Sequence, residues 1–425
     1  MKPSGVEWVG DIPTDWDVEP FFKVMPETGR SNSGLTEDNL LSLSYGQIIR
    51  KDIDSNDGLL PASFETYQIV EPGDIVFRFT DLQNDKRSLR SALVRERGII
   101  TSAYLAVSPK ACLPSYANFL LRSYDTTKVF YSFGGGVRQS LKYSDVKRLP
   151  VLLPPIDTQR AIVDYLDHET VKIDTLIGKQ ERLIDVLGER RSAMITQAVT
   201  HGLNPDAPMK ATGVEWLGNV PEHWTVKSIK WLSPVLRGAS PRPIDNQIYF
   251  DDDGEWAWVR IADVSASDGH LTNTTQRLSQ LGSSLSRKIL PGELFVSIAG
   301  TVGKPCISGI KACIHDGFVY FPALKIDPMF LFRLFEAGDC YKGLGKLGTQ
   351  LNLNTDTVGS IRIAVPPDRE IASILDHLDR ETAKIDALID KAKAMNVVLR
   401  ERRSALISAA VTGKIDVAKR IEGVA

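Results

Sequence analysis

Cysteine, histidine and methionine are scarce in this chain of 425 residues, at four, six and six copies. Cys112, Cys306, Cys313 and Cys340 make no C-x-x-C pair, and His168, His201, His223, His270, His315 and His377 are scattered. A zinc centre needs clustered thiolates and imidazoles, so the nearest approach, Cys313 with His315, reads as a strand of a mixed core and no metal is expected. Charge of one sign is missing too. A net charge of −2 gives no overall attraction to polyanions, although a local basic face fits inside a neutral total. No apolar run reaches the roughly eighteen residues of a membrane span. "MKPSGVEW" has neither a basic n-region nor an apolar h-region, so no secretory signal is expected and the cytoplasm is the expected compartment.

Catalytic signatures are equally lacking. "GTVGKP" and "GLGKLGT" miss the spacing of a phosphate loop, and neither G-x-S-x-G nor H-E-x-x-H occurs. The two Pro-Pro pairs lack the flanking Asn or Asp and Tyr or Phe of an amino-methyltransferase loop. The chain reads as a binder, not an enzyme.

What is present is a duplication. "SGVEWVGDIPTDW" begins at Ser4 and "TGVEWLGNVPEHW" at Thr212, with two tryptophans and a proline in matched register. A second repeated stretch runs from Pro154-Pro155 to Thr200 and, without a gap, from Pro366-Pro367 to Thr412. After each Pro-Pro pair no proline interrupts a long run dominated by good helix formers. Steps of four and three visit Leu166, Ile173, Ile177, Ile184 and Leu187 in copy one, and Leu378, Ile385, Ile389, Leu399 and Leu406 in copy two. A helix of about 44 residues rises roughly 66 Å and cannot bury such a stripe alone. The two copies are therefore expected to pack side by side as an antiparallel coiled coil. Gln180, Asn396, Arg191 and Arg403 are polar within the seam, and the two arginines are open to two roles: pairing across the coil or contacting a partner.

Between the repeated elements the copies diverge. "EPGDIVF" and "LPGELFV" share a Pro-Gly turn feeding a strand, "GIITSAYLAV" and "EWAWVRIADV" read as strands, and "SYANFLLRSYD" and "DPMFLFRLFEAG" as helices. The expected fold class is α+β: two mixed α/β blocks joined by two long helices in a pseudo-two-fold tandem repeat. Its divisions are 1–153, 154–205, 206–365 and 366–425, with a block, a helix, a block and a helix plus tail.

At this point the chain resembles the specificity subunit of type I restriction–modification enzymes. The likeness rests on the paired GVEW-x-G-x-x-P-x-x-W segments, the paired helix starts after Pro-Pro, and the paired "ERRSA" helix ends. It implies two target-recognition domains, each reading half of a bipartite double-stranded DNA site. It implies long helices that dock two methyltransferase subunits, with restriction subunits completing the assembly. S-adenosylmethionine then belongs to the methyltransferase partner, ATP and Mg to the restriction partner, and no cofactor to this chain. The competing reading is a non-catalytic coiled-coil adaptor that binds only protein. From loop position and donor capacity, the candidate DNA contacts are Tyr45, Gln47, Arg78, Gln83, Asn84, Lys86, Arg87 and Arg138 in the first block. In the second they are Arg260, Ser297, Thr301, Lys304, Lys346 and Gln350.

Overall fold

The computed structural model describes residues 1–53, 63–82, 89–133, 140–344 and 353–417. Two helices dominate: α2 over Ile156–His201 and α4 over Asp368–Val411, 46 and 44 residues long. The shorter α1 (Pro114–Thr126) and α3 (Pro328–Ala337) each place a proline in the first turn, where its missing N–H costs nothing. The chain forms two compact units that cut across the long helices. One comprises Met1–Gln180 with Ala394–Ala425, the other Glu181–Lys393.

In the first unit, Asp17–Pro20 pairs antiparallel with Pro150–Leu153, which leads into α2. A three-stranded sheet in the order Leu105–Val107, Ile75–Phe77, Ser91–Leu93 lies beyond it, with a hairpin of Leu41–Ser44 and Gln47–Arg50. The core gathers Phe21, Phe77, Tyr116, Leu120 and Phe130 with Leu166 of α2 and Ile407 and Ala410 of α4. The start of one long helix and the end of the other thus close the same core.

The second unit repeats the frame. Thr225–Ser228 pairs with Arg362–Val365 just before α4, and Ile195 and Ala198 of α2 share a core with Ile374 and Leu378 of α4. Its block differs. A five-stranded sheet carries Leu294–Ser297 at its centre, and a four-stranded sheet pairs Trp256–Val259 in parallel with Ala312–Ile314. The Pro-Gly turns form as expected: Asp74 N–H donates to Glu71 O, Glu293 N–H to Leu290 O, and a strand follows each. Two expected strands are broken. "GIITSAYLAV" splits at a turn into Gly98–Ile100 and Leu105–Val107. "EWAWVRIADV" turns helical from Ile261, because the Asp263 carboxylate accepts the Arg260 N–H and caps a helical turn.

The repeated tryptophans explain the repeated lead-in segments. Val6–Gly10 and Val214–Gly218 close the same turn, in which the N–H of Gly10 or Gly218 donates to the carbonyl of Val6 or Val214. Trp16 and Trp224, at 3% and 0% exposure, then pack where a long helix stops. Each helix is followed by a glycine in the left-handed region, Gly202 at φ +75° and Gly413 at φ +69°. A Cβ there would meet Trp224 at 3.1 Å or Pro13 at 2.4 Å. Trp16 of copy one thereby seals the helix of copy two, and Trp224 seals the helix of copy one.

Burial along the seam is uneven. Leu166, Ile173, Leu187, Leu378, Ile385 and Leu399 are buried, while Ile177, Ile184 and Ile389 are half-buried. Leu406 is only half-buried and Ile407 takes the core position, as Ile195 does over Met194 in copy one. A 3.6-residue turn drifts from a strict 3.5-residue repeat, and near its end each helix packs on a globular core instead of a partner helix alone. Opposite effects are expected from two kinds of glycine. Gly178→Ala and Gly188→Ala, with open space around each, gain about 1 kcal/mol apiece in urea unfolding. Gly413→Ala, strained and overlapping Pro13, loses about 1–3 kcal/mol.

Candidate nucleic-acid interface

The frame brings polar side chains together at the helix seam. Arg403 of α4 donates to Asp174 of α2 at 2.8 and 3.1 Å within the first unit. In the second unit Arg191 of α2 donates to Asp386 of α4 at 2.9 Å and to Glu336 of α3 at 3.0 Å. Arg191 and Arg403 occupy the same place in the repeat, as do Asp174 and Asp386. Both arginines therefore pair across the seam. A third cation, Arg333 of α3, bonds Glu336 of the same helix and Asp379 of α4, each at 2.8 Å.

Outside the seam the long helices leave apolar side chains in water. Three of them recur at equivalent positions, Leu176, Leu183 and Val186 on α2 and Leu388, Met395 and Val398 on α4, while Val171 and Val397 are exposed in one copy only. The six recurring side chains are between 44% and 59% exposed.

In the first block, Tyr45 and Gln47 sit at the tip of the hairpin, both exposed. Tyr45 has φ +45°, a left-handed conformation costing a non-glycine residue roughly 1–2 kcal/mol. The tip is held from below by Arg122, whose Nη2 donates to Gly46 O at 2.8 Å and Ser91 O at 3.0 Å. Burial lowers the Arg122 pKa, nearby Asp125 opposes that shift, and Arg403 adds to it. Arg78 is half-buried beside the strand Ile75–Phe77. Gln83, Asn84, Lys86, Arg87 and Arg138 lie outside the described residues. Two further cations near these positions, Arg90 and Arg97, serve the fold. Arg90 is fully buried and donates to Thr80 O at 3.1 Å and Asp81 O at 3.4 Å; Arg97 pairs with Glu37 and Glu71.

The second block changes the expected roles of several residues. Ser297 is 1% exposed, and its hydroxyl donates to Thr301 O while accepting the Lys304 N–H at 3.1 Å. It closes its own loop and presents nothing to a duplex. Lys304 Nζ donates to Ser265 O at 3.1 Å and Ser267 O at 2.7 Å, so its ammonium caps the carbonyl end of the short helix Ile261–Ala266. Thr301 is exposed at the loop tip, its hydroxyl 2.7 Å from that of Ser265. Arg260 is partly exposed and bonds Thr275. Lys346 and Gln350 lie outside the described residues.

One surface pair escaped the sequence reading. Trp231 is 70% exposed beside exposed Lys230, and Phe22 is 48% exposed beside Lys23. "FFK" and "IKW" occupy the same place in the two copies, a buried apolar residue followed by one aromatic and one cation. Their order is reversed, which hid the match from residue-by-residue comparison. The cysteines take no part in any site: all four are buried, and burial pushes the thiols of Cys306 and Cys313 up to about 11. Among the described residues no helix is long and apolar enough to cross a membrane.

Residues 221–393 match the family described as the type I restriction modification DNA specificity domain. A protein of Methanocaldococcus jannaschii, assigned as the type I restriction enzyme MjaX specificity subunit, is 22% identical over 96% of both chains. The HindI specificity subunit of Haemophilus influenzae is 22% identical over 72% of this chain and 77% of its own. Residues 221–393 thus carry a type I restriction modification DNA specificity domain, and both relatives are specificity subunits, in line with the resemblance. In fold, the chain is similar to one solved in a study of complex assembly and conformational transition of the type I R-M system. That match has a TM-score of 0.71 and 18% identity, covering 95% of this chain and 100% of the other.

The two seam arginines differ in their surroundings. Arg191, with two carboxylate partners and 22% side-chain exposure, is held more firmly than Arg403 with one partner and 32%. Arg191→Met is expected to cost about 1–2 kcal/mol and Arg403→Met less than about 1 kcal/mol in chemical denaturation.

Proposed function

We propose that this specificity subunit is itself non-catalytic and reads a two-part site on double-stranded DNA, one part through each unit. The observation that carries the reading is a frame kept alike in two copies around blocks that differ in sheet order and strand direction. Equivalent frames suit equivalent partners, and unlike blocks suit unlike DNA sequences. Exposed donors at the hairpin tip and on a loop, Gln47 and Thr301 among them, are suited to base edges and phosphates. Such a subunit works in the cytoplasm, where the DNA is.

The partners follow from the exposed apolar positions on the long helices. Solvent-facing Leu, Met and Val repeated at equivalent places suit two copies of one protein, and the family points to methyltransferase subunits. In that assembly the methyltransferase would hold S-adenosylmethionine, and a restriction subunit, where present, ATP and Mg. This chain contributes recognition and positioning.

Co-expression with the neighbouring methyltransferase in a methylation-free host is expected to yield modified adenines in a single two-part motif with a fixed gap, mapped by single-molecule sequencing. A soluble complex that leaves the genome unmodified would sink the DNA reading in favour of an adaptor. For the docking face, Leu183→Glu with Met395→Glu is expected to abolish co-purification of the methyltransferase. The melting temperature of the chain alone should stay within a few degrees, since both positions are already half in water.

A further inference from the structure

The hairpin at residues 44–47 has a two-residue turn: Ser44 pairs with Gln47, and Tyr45 and Gly46 have φ of +45° and +77°. Positive φ at both central positions defines a type I′ turn, whose first position favours Asn, Asp or Gly. Among the described residues four non-glycine residues take positive φ, and Tyr45 is the one aromatic. At 80% it is also the most exposed large apolar side chain among them. Neither the turn nor any core accounts for a tyrosine here.

The turn under the ring is hydrogen-bonded to the helix below it. Arg122 bridges the carbonyls of Gly46 and Ser91, and a Cβ on residue 46 would come within 2.1 Å of Arg122 Nη1. A half-buried guanidinium on α1 therefore packs against the tip, and the φ of +77° favours glycine there. A disfavoured backbone conformation, held by its surroundings at an exposed position, is the pattern of a ligand contact. The chemistry of that contact is set by the side chains. A flat aromatic face on a fixed tip, with the Gln47 amide next along the strand, suits the π-face of a base or an opened base step.

We propose that Tyr45 is a wedge that stacks on the DNA of the first half-site and unstacks one base step. The assignment rests on the reading that the first unit binds duplex DNA. Gln47 supplies a donor and acceptor beside the wedge, and Arg122 positions both by holding the turn.

The test uses the chain assembled with its methyltransferase subunits, on duplexes carrying the mapped motif. 2-Aminopurine is stepped through the first half-site. Wild-type complex is expected to raise its fluorescence at one position. Tyr45→Asn, which suits the turn better, should keep or raise the melting temperature, abolish that signal and weaken binding roughly 5- to 100-fold. Tyr45→Trp should retain both signal and affinity. The proposal is overturned if wild type gives no signal at any position, or if Tyr45→Asn binds and unstacks DNA as wild type does. It is also overturned if Tyr45→Asn releases the methyltransferase while leaving DNA affinity intact, which assigns the ring to a protein contact. A wild-type complex with no preference for its motif overturns the DNA reading itself, and this role with it.

Discussion

A helix of more than forty residues with one apolar face cannot stand alone in water, and the rest of the structure answers that constraint. Each long helix begins in the core of one unit and ends in the core of the other. Along the seam, Asp174 with Arg403 and Asp386 with Arg191 repeat one ion pair in each unit. At each end a glycine and a buried tryptophan stop the helix, and the tryptophan always comes from the other copy. Neither copy completes a core from its own segments, so the two are obliged to fold as one chain.

This sharing leaves the blocks free to diverge. Tryptophan, helix ends and the strand pair that leads into each long helix bury a common frame. The sheets beyond need only cover one side of it. One block does so with short antiparallel ladders and the other with two larger sheets that include parallel pairs.

The frame was legible in the sequence because periodicity and rare residues carry it. Heptad steps reach the buried Leu166, Ile173, Leu187, Leu378, Ile385 and Leu399, and tryptophan spacing marks the lead-in segments. The seam ends were not legible, since the shift from Leu406 to Ile407 depends on what a helix meets in three dimensions. Loop donors were harder still. Lys304 and Ser297 look from composition like solvent-facing contacts, yet one caps a helix and the other closes a loop. A lysine reaching backbone carbonyls and one reaching phosphate are chemically the same residue. Arg90 and Arg97 were absorbed by the fold for the same reason. Tyr45 has the donor capacity of a DNA contact in sequence, but its strain shows only in the backbone.

The two units also spend one equivalent position differently. Arg122 and Glu336 each follow the first-turn proline of their helix by eight residues. Glu336 faces the seam and binds Arg191, bolting its block to the long helix. Arg122 makes its contacts away from the seam. Its guanidinium turns instead to Gly46 and Ser91, where it fixes the hairpin tip. The first unit uses this position to support an exposed ring, and its short helix is tied to α2 instead at Leu113, whose N–H donates to the Gln159 side chain. A position that serves the frame in one copy serves the surface in the other, which is how a duplicated scaffold comes to carry two different faces.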